Sequence, residues 1–112
     1  MDSLPKEVLK VQSLIFLYLS NTNTHYLTKH FDRLKNLEVL ILENNPIATI
    51  PSEIYMAKKL RMISFRNNKL TSIPETITEL KELALLDLRG NPLQQEEVDK
   101  LKALLPDCQI KF

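Results

Sequence analysis

The sequence contains a single cysteine, Cys108, in 112 residues. A lone thiol excludes an intrachain disulfide and a thiolate metal cluster. Glycine is as scarce: Gly90 stands alone, so no glycine-rich loop can cradle a phosphate. Neither sign of charge dominates, since 15 basic residues face 14 acidic ones and leave a formal net charge of +1. This argues against a nucleic-acid binder, which concentrates basic charge on one surface. Long apolar runs are missing too. The longest, Leu14 to Leu19 (LIFLYL), is about a third of a membrane span, so no membrane partner is expected. No basic-then-apolar leader ends in a small-residue cleavage site. The expected location is therefore the cytoplasm, or the surface or exterior if a leader has been removed.

What the sequence does have is a period. Leu14, Leu37, Leu60 and Leu83 are spaced by 23 residues, as are Leu17, Leu40, Ile63 and Leu86, and Leu19, Leu42, Phe65 and Leu88. The ninth position of this frame holds Thr22, Asn45, Asn68 and Asn91, and the fifteenth holds Pro5, Thr28, Pro51 and Pro74. Apolar columns at positions eleven, fourteen, eighteen and twenty-one stay in step without an insertion. A fixed period of this length marks a solenoid, in which one unit cannot bury its own apolar face but stacked units can.

Apolar residues at positions four and six of each unit point the same way on a strand. The frame predicts short parallel strands near residues 16–20, 39–43, 62–66 and 85–89. The return path, as in ETITELKE, suits a helical turn or 3₁₀ segment. The asparagine column is read as a ladder: Asn carries a donor and an acceptor and can satisfy the backbone groups of a buried bend. Thr22 is its weakest rung.

The expected organisation is one domain over 1–112. It comprises a partial repeat at 1–13, full repeats at 14–36, 37–59 and 60–82, a last strand turn at 83–93 and a C-terminal cap at 94–112. QQEEVDKLKALLP reads as an amphipathic capping helix, with Val98, Leu101 and Leu105 on one side and Leu104 beside them. Ile110 and Phe112 alternate around Lys111 and suit a short edge strand. At the other end, Leu4 to Val8 enters the frame halfway through a repeat. Either Lys6 to Gln12 folds as a makeshift helical cap, or the first strand is an open edge that invites a homodimer.

These columns resemble the leucine-rich-repeat family, in its typical 23-residue bacterial class. LKNLEVLILENNPIATIPSEI and LKELALLDLRGNPL carry the L-x-x-L-x-L-x-x-N-x-L-x-x-I-P-x-x-I pattern almost throughout. The opening LPKEVLKVQSL and the ending NPLQQEEVDKLKALLPDCQIKF are similar to pieces of leucine-rich-repeat proteins from spirochaetes such as Leptospira. The resemblance implies an α/β solenoid: a right-handed arc with a parallel concave sheet of about four to five short strands. It also implies a non-catalytic scaffold that binds a protein or peptide. Surface or secreted relatives add host-surface or carbohydrate binding as the alternative, and self-association as a small structural module as another. The chain departs from the pattern at Thr22, Thr24 and Thr28, where Asn, Leu and Pro are expected.

The repeated leucines are core, so the variable strand positions carry the binding expectation. Across the repeats these rows are Phe16, Val39, Met62 and Leu85, then Tyr18, Ile41, Ser64 and Asp87, then Ser20, Glu43, Arg66 and Arg89. A fourth row is Asn21, Asn44, Asn67 and Gly90. The first row is apolar, and Tyr18 and Ile41 widen it into a patch of roughly a few hundred Å². Tyr and Arg are favoured in protein hot spots. The competing reading is that neighbouring side chains cover the apolar row, which then only stabilises a small sheet.

Catalytic readings find little support. His25 and His30 share one return segment with Asp32, a weak metal trio on paper, but the spacing matches no familiar motif. Glu43 and Asp87 lie on one face with Arg66 between, a charge-compensated surface more than an acid–base pair. No cofactor and no catalysis are expected.

Overall fold

The computed structural model describes residues 6–112; Leu4 and Pro5 of the repeat frame lie outside them. Five three-residue strands form one parallel sheet in chain order: β1 (Phe16–Tyr18), β2 (Val39–Ile41), β3 (Met62–Ser64), β4 (Leu85–Asp87) and β5 (Gln109–Lys111). The register of the first four is the repeat interval itself. Leu17 lies beside Leu40, Leu40 beside Ile63, and Ile63 beside Leu86. The solenoid fold is thus the one the frame predicts.

The strands are shorter than the five residues expected. Asn21, Asn44 and Asn67 take φ of 60°, 58° and 59°, and Gly90 takes 78°. A left-handed residue ends the extended run, although single bonds continue across, such as Asn21 N–H to Glu43 C=O at 3.0 Å. The row Asn21, Asn44, Asn67 and Gly90 is therefore a turn device and not part of a flat binding strip.

Return paths close in 3₁₀ turns: η1 (Lys6–Lys10), η2 (Phe31–Leu34), η3 (Ser52–Met56) and η4 (Glu75–Glu79). Pro51 and Pro74 precede η3 and η4 at φ −65° and −64°. Their missing N–H costs nothing where a first-turn donor has no intrahelical partner. Between sheet and turns the leucine columns are sealed: Leu37, Leu40, Leu42, Leu60, Ile63 and Phe65 are fully buried.

The asparagine ladder is formed as expected. Asn68 Oδ1 accepts the Ile47 N–H, and its Nδ2 donates to the carbonyls of Leu42 and Phe65 at 2.8 Å. Asn91 does the same for Leu70 N–H, Phe65 C=O and Leu88 C=O. In the first turn Thr22 Oγ1 donates to Leu19 C=O at 2.8 Å and lies 2.7 Å from Thr24 Oγ1. The buried Thr24 stands where a leucine is expected, and Asn23 is also left-handed, at φ 56°. The first turn is irregular because two hydroxyls stand where an amide and a leucine are expected, while the Asn45 amide still accepts the Thr22 and Thr24 N–H groups.

Gly90 shows how tight the turn column is. A Cβ there would lie 2.0 Å from Asn67 Oδ1, and Asn67 Nδ2 already donates to Asn44 Oδ1 at 2.8 Å. Gly90→Ala should therefore lower stability by about 2 kcal/mol, from left-handed strain and displacement of the Asn67 amide. Urea unfolding should show a lower midpoint with an unchanged slope; an unchanged midpoint would refute the account.

The C-terminal cap is helix α1 (Gln95–Leu104). It buries Leu101 and, just beyond its end, Leu105; Leu104 is instead exposed. Glu97 accepts the Ile73 N–H at 3.0 Å, and Lys100 pairs with Glu75 at 3.3 Å. Both contacts tie the helix to the last return path. Past Pro106 the chain re-enters the sheet as β5, with Ile110 beside Leu86. Cys108 is half-buried at this seam, and burial pushes its thiol pKa up.

The N-terminal end differs. The turn η1 holds the same phase in the frame as η3 and η4, so it is the return turn of a preceding half-repeat. None of its residues is fully buried, although Val8 and Leu9 pack against the core. The expected makeshift cap is thus present as a turn but does not cover the strand: no described residue pairs with the outer edge of β1. Val11 is 47% exposed, whereas Leu34, Ala57 and Leu80 in its column are buried.

Candidate concave binding face

The three variable rows do share the concave face, but they are not equally open. In the first row Phe16 is exposed, while Val39, Met62 and Leu85 are half-buried. In the middle row Tyr18 is 58% exposed, yet Ile41, Ser64 and Asp87 are buried. In the third row Ser20 and Glu43 are half-buried and Arg66 and Arg89 are exposed.

The middle row is buried by its neighbours. Strands about 4.8 Å apart leave little space between side chains on one face. The polar row then folds back over it. Ser64 Oγ donates to Glu43 Oε2 at 2.6 Å. Arg89 holds Asp87 through two side-chain bonds, at 3.0 and 2.8 Å. Burial alone would raise the Asp87 carboxyl pKa. Hydrogen bonds from the Arg89 side chain and backbone, with the charges of Arg89 and Lys111, outweigh that and lower it. The expected apolar patch is therefore narrower than its letters suggest, because Ile41 is only 6% exposed.

What remains open falls in two places. Phe16 and Tyr18 stack at one end, with ring centroids 6.5 Å apart and planes within 10°. Arg66 and Arg89 stand farther along, each four residues past the half-open Met62 and Leu85 of its own turn, with the buried Ser64 and Asp87 between. Arg89 is engaged by Asp87. Among the described residues Arg66 makes no side-chain hydrogen bond or ion pair.

The fifth strand adds two residues that sequence reasoning missed. Gln109 lies beside Leu85 and Lys111 beside Asp87, extending the first and middle rows. The interval here is 24 residues and not 23, because the helical cap is one residue longer than a return path. A search for the fixed period cannot find this step, though the alternation of Ile110 and Phe112 hints at it.

The metal trio is not assembled. His30 and Asp32 are exposed on the return path while His25 is half-buried. Among the described residues no three His, Cys, Asp or Glu side chains gather to hold an ion. No helix of the described residues is long and apolar enough to cross a membrane.

Comparison with known proteins places this geometry. A solved structure of a leucine-rich-repeat protein from Leptospira interrogans is 40% identical to this chain, with a TM-score of 0.95. The match covers 99% of this chain but 28% of that one, so the chain spans little more than a quarter of the length of that structure. No curated protein matches. The family model described as leucine rich repeat matches residues 36–93, which hold the regular turns and leave out the threonine-rich first one. With that match, the 23-residue frame and the five-stranded arc all in agreement, the chain belongs to the leucine-rich-repeat family.

Proposed function

We propose that this protein is a non-catalytic scaffold that binds a protein or peptide on its concave face. Leucine-rich-repeat scaffolds typically bind proteins, and the similarity to the family supports that much. The observation carrying the reading to this face is Arg66, an exposed guanidinium with no partner among the described residues. It shares a face with the half-open Met62, four residues before it, with the buried Ser64 between them. An exposed arginine on a face that also offers half-open apolar side chains has the composition of a hot spot. A carbohydrate ligand would need aromatic and polar groups together, and only Phe16 and Tyr18 supply rings on this face. A protein partner is the better-supported class.

Five strands give about 20 Å of sheet width, enough for a peptide or a loop and small beside a standard stable interface. The test is affinity capture with wild-type protein beside an Arg66→Glu, Met62→Lys variant, followed by titration of the captured partner. Binding should weaken by about tenfold or more in the variant, with the circular dichroism spectrum unchanged. A partner held equally well by both proteins would refute this face as the site.

A further inference from the structure

The charges of the concave face do not balance. Across its three rows, from β1 to β5, the ionised side chains are Glu43, Arg66, Asp87, Arg89 and Lys111. Three cations stand against two anions, and both anions are already engaged within the face. Glu43 Oε2 accepts the Ser64 hydroxyl at 2.6 Å. Asp87 is held by two side-chain bonds from Arg89, at 3.0 and 2.8 Å, and has Lys111 beside it on β5. What the face has left to offer is positive.

Arg66 carries that excess in the middle of the sheet. In its row Glu43 stands on the β2 side and Arg89 on the β4 side. Glu43 turns into Ser64, and Arg89 turns into Asp87 on its own strand. Among the described residues Arg66 is therefore exposed with no side-chain bond. The first row carries no charge: it is Phe16, Val39, Met62, Leu85 and Gln109. Met62 lies four residues before Arg66, roughly 13 Å away at about 3.3 Å per residue. A guanidinium and an apolar position so far apart must be met by two different residues of a partner.

We propose that the partner segment is acidic: an Asp or Glu carboxylate pairs with the Arg66 guanidinium, and neighbouring apolar residues rest on Met62 and Leu85. The proposal rests on the concave face being the binding site and adds the chemistry of what binds there. The planar fork of a guanidinium matches a carboxylate in a two-bond pair. A phosphate group fits less well. It carries up to two charges and calls for several cations, whereas Arg66 is the one cation with no anion beside it on its own strand, and Glu43 stands in the next column. A basic segment would find both anions bonded and would have to pull Asp87 away from Arg89. Arg89 and Lys111 add positive field on the β4 and β5 side, so the acidic segment lies over β3 to β5 and away from Glu43.

Selection from a phage library of random linear dodecapeptides on the immobilised full chain tests the proposal. Enriched peptides should carry more Asp and Glu than Lys and Arg. One such peptide, synthesised and titrated by fluorescence anisotropy, should bind the Arg66→Ala protein about tenfold more weakly. Replacing its acidic residues by Asn or Gln should cost as much. Glu43→Gln keeps an acceptor for the Ser64 hydroxyl while removing a repulsive charge, and should tighten binding by about two- to threefold. A second selection, on the Arg66→Glu protein, should turn the preference toward Lys and Arg. Circular dichroism would show that each variant is folded. Peptides that are lost on Met62→Lys but carry no acidic excess, or that bind Arg66→Ala as tightly as wild type, would overturn the acidic partner and leave the concave face standing. Peptides held equally by the Arg66→Glu, Met62→Lys protein would overturn the concave site itself, and a selection that enriches nothing would overturn the peptide partner.

Discussion

Asn68→Ala should destabilise the protein by about 3 kcal/mol or more. The amide serves four backbone groups in the buried bend: the Ile47 N–H, the carbonyls of Leu42 and Phe65 and, at 3.3 Å, that of Arg66. The Phe65 carbonyl keeps its Asn91 donor, while each other buried group left without a partner costs about 1–3 kcal/mol. Partial rescue by water reduces the sum, but the residue is 6% exposed and little water can reach it. Such a loss is a large part of the stability of a small domain, about 5–15 kcal/mol. Asn68→Thr should cost less than Asn68→Ala, since Thr22 fills the same column with a hydroxyl that bonds Leu19 C=O. Urea unfolding of the two variants measures both. A cost for alanine below about 1 kcal/mol, or a threonine variant worse than alanine, would refute the ladder as a structural element.

Phe65→Ala should be comparably severe, at about 3–5 kcal/mol, because it empties a fully buried ring site. Phe65→Leu should be mild, at about 1 kcal/mol, within the range of hydrophobic swaps that the core can repack. The basis is the column: Leu42 and Leu88 occupy the same place in the neighbouring turns and are buried there. A ring is therefore a local filling, while an apolar side chain of some size is the requirement. Thermal melts of both variants would check the ratio. A leucine variant as damaging as alanine would mean that the ring shape, and not the filled volume, holds this turn.

The arc was legible because solenoid packing is local. Each leucine column contacts its own copies one turn away, so the interval in the letters is the register in space. Leu17, Leu40, Ile63 and Leu86 needed no long-range inference to be placed side by side. The concave face was less legible. Ile41 and Ser64 occupy outward-facing positions, yet they are buried, because Glu43 reaches across to Ser64 and Arg89 folds onto Asp87. Periodicity gives the direction of a side chain but not the reach of its neighbours. The strands were expected to be five residues long because the alternation runs that far; they end after three, with the left-handed residues Asn21, Asn44, Asn67 and Gly90 turning the chain three positions later. Gln109 and Lys111 were missed because the cap changes the interval by one residue.

The amide ladder also has a direction. Asn45 serves Thr22, Thr24 and Leu19; Asn68 serves Ile47 and Leu42; Asn91 serves Leu70 and Phe65. In every case the amide reaches back to the turn before it. On a ribosome, which delivers the N-terminal turns first, each bend must wait for the asparagine of the next turn to emerge. The bend at Ile47 stays incomplete until Asn68 is made, and the one at Leu70 until Asn91 is made. Each bend can therefore be completed only one turn behind the growing end, in order from the N-terminal side.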